Sequence, residues 1–429
     1  MGTSQSKNAP SPVLEIPPAN LIGCIKSADG FTVLHVEPGS ETPSLNATPT
    51  KTLPDGFAAK YLIEPPTNQQ LHVVISVLSG TCLAEGFYDK NLRPLLDAIG
   101  LRETTDYVVH RTTSARTISE LTHDVFLPRA NEGINQRIIL LSGDGGIVDI
   151  VNGLLSGSRG ASFTAPSVAL IPMGTGNALA HSSRITADNT LGLATLARGS
   201  PVRLPLLKAR FSPGARLLVE EGSKKEELPL AGDASPTMYG AVVCSWAMHA
   251  GLVADSDTTE YRKYGIERFK MAAKEALYPA GGSEPHRYRA NVSVLRKTQD
   301  GKADWEAVSR QEHAYVLATL VSNLEKTFNI SPHTQPLDGH LRLVHFGPMA
   351  SDEVMRVMGL AYQEGKHVDE DAVSYDDVEG VRIEFVEDED RWRRVCVDGK
   401  IVLVEQGGWV EARKAESGEE RVVDLVCLR

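Results

Sequence analysis

Several absences in the sequence narrow its class. There is no excess of basic residues: 44 Lys and Arg stand against 55 Asp and Glu, a formal net charge of −11. No global positive field holds nucleic acid irrespective of sequence, so no nucleic-acid partner is expected, although local phosphate sites stay open. Cysteine is scarce and solitary. The five residues Cys24, Cys82, Cys244, Cys396 and Cys427 form no CxxC pair. A disulfide framework or zinc site is therefore not expected, and a reducing, cytoplasmic compartment is the default. No apolar run reaches the roughly 18 to 20 residues of a membrane span. The longest apolar-leaning stretch, YGAVVCSWAMHAGLVA, is too short and carries His249. The polar start has no secretory apolar region.

What is present divides the chain into three parts. Residues 1–56 read as a flexible tail with a short β extension. LIGCIKS and FTVLHVE look like two strands around the turn pair Asp29-Gly30, and linker composition returns over 37–56. The opening Met1-Gly2-Thr3-Ser4-Gln5-Ser6 fits N-myristoylation at Gly2, and it fits a disordered polar start equally well. One acyl chain gives only marginal membrane binding.

Over 57–206 the apolar runs LHVVISV, DYVVHRT, RIILLS and SVALIP alternate with helical patterns. That is the rhythm of βαβ units, and it predicts an α/β fold with an open parallel sheet and flanking helices. The runs are apolar throughout, as expected of strands covered on both faces. Over 207–429 short strand-like pieces dominate, with one helical stretch at YGIERFKMAAKEAL, predicting a mainly antiparallel β domain. The acidic run HVDEDAVSYDDVEG reads as a solvated loop.

Two glycine loops carry the chemistry. SGDGGIVDIVNGLL places Gly143, Asp144, Gly145 and Gly146 between a strand and an amphipathic helix. Glycines admit close backbone approach, ligands of open α/β folds bind at this sheet edge, and helix N-termini favour phosphate. Asp144 is then the odd residue. It suits a proton acceptor for a nucleophilic hydroxyl, a contact to phosphate-bound Mg2+, or a helix cap. IPMGTGNALA repeats the design with Gly174, Thr175 and Gly176, and offers Asn177 as an N-cap. Two such loops on neighbouring βα units look like a nucleotide cradle. No G-K-[ST] follows, so neither is a Walker A loop.

At these residues the chain resembles the diacylglycerol kinase-type lipid kinases, and among them the sphingosine, or long-chain base, kinases. SGDGGIVDIVNGLL is similar to the family's GDG motif, IPMGTGNALA to its P-x-G-[ST]-G-N-x-x-A motif, and VCVDGKIVLVE to its V-D-G-E strand. AGLVADSDTTEYRKYGIERFKMA resembles the segment that distinguishes sphingosine kinases. The resemblance implies an NAD kinase/diacylglycerol kinase-like catalytic domain followed by a β-rich lipid-binding domain. It implies ATP and Mg2+, with the ion held mainly through ATP.

Asp144 would be the base. Gly143, Gly145, Gly174, Thr175, Gly176, Asn177, Asp398 and Gly399 would line the nucleotide site. Arg262, Arg268 and Arg111 would reach its phosphates, and Asp255 or Asp257 would hold the ammonium of a sphingoid base. A membrane surface would be met peripherally.

The chain departs from the family at two places. The first loop, usually N-P-x-[SG]-G-x-G, is VLSGTCLAEGF, leaving Ser79, Gly80 and Thr81 for phosphate; Lys400 replaces the glutamate of V-D-G-E. The rival readings are a diacylglycerol or other lipid kinase, and a nucleotide- or lipid-binding pseudokinase.

Overall fold

The strands follow from the apolar runs. The computed structural model describes residues 15–39, 41–80, 82–230, 234–298, 301–415, 418–419 and 421–428. Strands β1 (Leu21–Ser27), β2 (Gly30–Glu37) and β3 (Ser44–Thr50) form an antiparallel meander. β3 falls where the composition predicts linker. It pairs along all of β2, from Phe31 opposite Thr50 to Glu37 opposite Ser44. None of its residues is fully buried, so no apolar alternation announces it.

Strands β4 (Gln70–Ile75), β5 (Tyr107–Arg111), β6 (Gln136–Ser142) and β7 (Ser167–Pro172) pair in parallel in the order β5-β4-β6-β7. Their unbroken apolarity has a structural cause. Ile138 and Leu140 of β6 enter one core with Ile147, Ile150 and Leu154 of the following helix, Asp144–Ser156. Ile139 and Leu141 enter the opposite core with Phe87, Leu92 and Leu95.

Two more strands complete this sheet. Asp424–Cys427 pairs in parallel with β7 and antiparallel with β8 (Ser200–Arg203). The strand read from RVVDLVCL therefore lies in the first sheet, not in the β region with its sequence neighbours. Leu425 and Val426 explain the placement, one buried in each of the two cores.

Residues from 207 onward build antiparallel sheets of seven and eight strands around Phe211, Trp246, Val292 and Phe385. The other face of the eight-stranded sheet, with Tyr315, Leu317 and Val344, packs on Leu277, Val354 and Val357 of helices Glu267–Leu277 and Ser351–Ala361. MYGAVVCSW is two strands, Thr237–Gly240 in one sheet and Val243–Ala247 in the other, with the chain switching sheets between them. The acidic run is only partly loop: Ser374–Val378 forms an edge strand beside Leu341–Phe346. Its Asp376 is paired with Arg296 and His345.

Candidate active site

β4, β6 and β7 end at one sheet edge and deliver three loops there. The loops touch through glycine. A Cβ on Gly174 would lie 2.5 Å from the Cα of Gly143, and one on Gly80 (φ +54°) would lie 2.4 Å from the carbonyl of Met173. These glycines serve loop-to-loop packing. Gly145 differs, since a Cβ there would meet nothing within 4 Å. The first loop joins the cluster despite its altered sequence, as the Gly143 N–H donates to Ser79 Oγ at 3.1 Å. Thr81 and Gly2 lie outside the described residues.

Asp144 opens the helix Asp144–Ser156, yet its carboxylate serves the next loop. Its Oδ2 accepts the N–H of Ala178 at 2.8 Å, and its Oδ1 that of Leu179 at 3.0 Å. Burial pushes its pKa above the ordinary carboxylate value, and these amides pull it back. Asn177 precedes the helix Ala178–Ser182 but gives it no side-chain cap. Held at φ 52°, it closes the loop on itself: Oδ1 accepts from Gly174 N–H, and Nδ2 donates to Gly174 O. Thr175 and Gly176 stay partly exposed at the loop tip, with Gly176 against the Leu324 carbonyl of the β region.

The turn at Asp398 and Gly399 joins two strands of the β region, Arg394–Val397 and Lys400–Leu403. The Asp398 carboxylate accepts the N–H groups of Ala241, Val242 and Val243, fixing the segment where the chain switches sheets. Burial, with the negative charge of Asp144 adding to it, pushes the Asp398 pKa up to about 7. Beyond the turn, Lys400 Nζ lies 2.9 Å from Asp149 Oδ1 on the Asp144–Ser156 helix. Burial raises the Asp149 pKa and Lys400 lowers it.

The arginines and acids of the segment from 255 to 268 are already partnered. Arg262 grips Asp257 through two bonds of 3.0 Å, and Arg268 lies 3.4 Å from the same carboxylate. Asp255 turns the other way, to Arg391 at 2.9 Å and Arg394 at 2.8 Å. Thr258 separates them by capping the next short helix through Tyr261 N–H. Arg111, at the end of β5, pairs with Glu85 at 2.8 Å.

Sequence reasoning did not single out Asp149 and Asn152. Asn152 Oδ1 accepts the Tyr239 N–H, and its Nδ2 donates to Tyr239 O and to Val148 O. The signal was available: Gly145, Asp149 and Asn152 recur at helical spacing as a polar stripe on an otherwise apolar helix.

Among the described residues no cluster of three or more His, Cys, Asp or Glu side chains is placed to hold a metal ion. The oxygens of Asp144 and Asp398 face amides, and Asp149 faces an ammonium. No helix among the described residues is long and apolar enough to cross a membrane.

Comparison with known proteins finds related chains. Residues 70–209 match the family of the diacylglycerol kinase catalytic domain. The chain is 24% identical over 263 residues to sphingosine kinase 1 of Rattus norvegicus, covering 54% of this chain and 63% of that protein. It is 21% identical over 252 residues to sphingosine kinase 1 of Arabidopsis thaliana, covering 55% of this chain and 45% of that protein. The match thus spans less than two thirds of either relative. A solved diacylglycerol kinase from Bacillus anthracis superposes with a TM-score of 0.53 at 14% identity, covering 85% of this chain and 99% of that one, and so shares its fold.

Proposed function

We propose, taking as premise that residues 70–209 match the diacylglycerol kinase catalytic domain, that this chain is an ATP-dependent lipid kinase acting on the primary hydroxyl of a sphingoid base. One observation carries the kinase reading: Asp144 stands where three glycine loops meet, its carboxylate on the amides of Ala178 and Leu179. A hydroxyl attacking the γ-phosphorus of ATP must shed its proton as its oxygen bonds to phosphorus and the bond from that phosphorus to ADP breaks. Asp144 receives that proton. A carboxylate oxygen has more than one lone pair, so each keeps acceptor capacity beside its amide bond. Burial raises its basicity towards the working pH.

The open backbone at Gly145, with Ser79, Gly80, Thr175 and Gly176 around it, seats the phosphates. Arg262 and Arg268, which share Asp257 as a partner, would reach the phosphates on this reading. Mg2+ would enter on the phosphates of ATP, where it supplies charge neutralisation. The lipid is met peripherally at a membrane surface, and acylation of Gly2 would strengthen that contact.

The sphingoid base is supported by the two relatives named sphingosine kinase and by two acids in the segment that resembles theirs. One observation favours diacylglycerol or another lipid instead: Asp255 and Asp257 each already carry two arginines. The test is transfer of labelled phosphate from ATP to sphingosine, phytosphingosine, ceramide and diacylglycerol, beside an Asp144→Asn variant. Label on the sphingoid bases, reduced about 10²- to 10⁴-fold in the variant, is expected. Label on diacylglycerol alone overturns the substrate, and ATP binding with no labelled lipid overturns the kinase reading in favour of a pseudokinase. The variant's melting curve and ATP binding, measured alongside, separate lost chemistry from lost fold.

A further inference from the structure

The helix Asp144–Ser156 turns one polar stripe, Gly145, Asp149 and Asn152, towards the β region. Asn152 is committed to Tyr239. Gly145 forms open floor beside Asp144. Asp149 lies about one helical turn, roughly 5.4 Å, below that floor. Its side chain is only 13% exposed, and Lys400 is its partner at 2.9 Å. Lys400 follows directly on the Asp398-Gly399 turn, whose carboxylate senses Asp144. An ammonium has three N–H donors, and the Lys400 side chain remains 33% exposed.

Charge arithmetic makes the residue type significant. A glutamate at position 400 would face the carboxylate of Asp149, and two carboxylates at that distance repel unless one holds a proton or a cation lies between them. Lysine supplies that cation covalently.

We propose that Lys400 is a fixed cation of this site, that Asp149 positions it, and that it contacts phosphate oxygens of a nucleotide lying over Gly145. It thereby performs part of the charge neutralisation otherwise left to a divalent ion. The inference rests on the kinase reading. It predicts that the protein binds nucleotide without Mg2+ and that Lys400 is what permits it.

The experiment measures binding of a fluorescent ATP analogue to the full chain, in EDTA and in Mg2+. It compares wild type, Lys400→Met, Asp149→Asn, and the swapped pair Asp149→Lys with Lys400→Asp. A charge-assisted hydrogen bond corresponds to about a tenfold to hundredfold change in affinity. Lys400→Met is expected to weaken binding in EDTA by that factor and binding in Mg2+ by less. Asp149→Asn is expected to weaken it by a smaller factor. The swapped pair recovers melting temperature without recovering binding in EDTA, which a merely structural ion pair would not do; recovery of both overturns the inference. Equal affinity of Lys400→Met and wild type in EDTA also overturns it while leaving the kinase reading intact. Failure of the wild type to bind in EDTA, with binding in Mg2+ intact, overturns the inference, and failure in both conditions overturns the kinase reading itself.

Discussion

At Asp398, burial and the charge of Asp144 outweigh three amide donors, and the balance leaves a readable trace. Its carboxyl is pushed from 3.8 up to about 7. A group whose folded pKa exceeds its unfolded value binds more protons folded than unfolded across that interval. It therefore favours the fold below the interval and costs stability as pH rises through it. The wild-type melting temperature is expected to fall by several degrees more, between about pH 5 and pH 8, than that of Asp398→Asn, which cannot ionise. Scanning calorimetry at both pH values decides it, and parallel slopes would remove the carboxyl from the account. Asp398 also sits at φ 47°, backbone that a non-glycine residue rarely adopts. Its three amide bonds hold it there, so the turn is built rather than incidental.

Among the elements, the loops divide glycines that sequence alone treats as equivalent. Gly174 has its neighbour's backbone at 2.5 Å, whereas Gly145 has open space. Gly174→Ala is expected to destabilise the fold by forcing two loop backbones apart, with a cost of about 1–3 kcal/mol as for other overpacked sites. Gly145→Ala is expected to melt near wild type yet bind ATP more weakly, because its new methyl group occupies ligand space. Urea melts and nucleotide titration on both variants check the division, and the opposite ranking would reverse the assignment. Asn152→Ala tests the polar stripe. It leaves the Tyr239 N–H and C=O without their side-chain partner and is expected to cost about 1–3 kcal/mol in the same melts.

The parallel strands, both glycine loops and Asp144 were legible because apolar runs and glycine turns are local signals. Strand β3, the destination of the last strand and the pairing of Asp255 and Asp257 were not, because each depends on a partner far along the chain. The cap on Ala178–Ser182 shows the difference most clearly. Sequence offered Asn177, the adjacent residue, and the fold used Asp144, which lies 34 residues away.

Across the whole molecule, the two regions are tied at both ends of the second one. The chain leaves the first sheet after β8, builds the antiparallel sheets, and returns to place Asp424–Cys427 between β7 and β8. One apolar cluster runs through the junction, joining Ile147, Ile150 and Leu154 to Leu204, Tyr239, Val242 and Val423. A cut at residue 206 would therefore strip β7 of a hydrogen-bonded neighbour and β8 of the strand that links it to the sheet among the described residues. It would also expose Ile147, Ile150 and Leu154, which pack with Tyr239, Val242 and Val423. A fragment ending at 206 is expected to aggregate or to lack a cooperative melt, since an unpaired buried edge is an association site. Co-expression with 207–429 is expected to restore a soluble pair. Size-exclusion chromatography and circular dichroism on the fragment alone test this, and a monodisperse, cooperatively melting fragment would sink it. Two chain crossings also limit how far the two regions can part, because any hinge must bend at both. A connection of this kind holds Lys400 against the Asp144–Ser156 helix before any ligand arrives, which is the preorganisation that the proposed phosphate site requires.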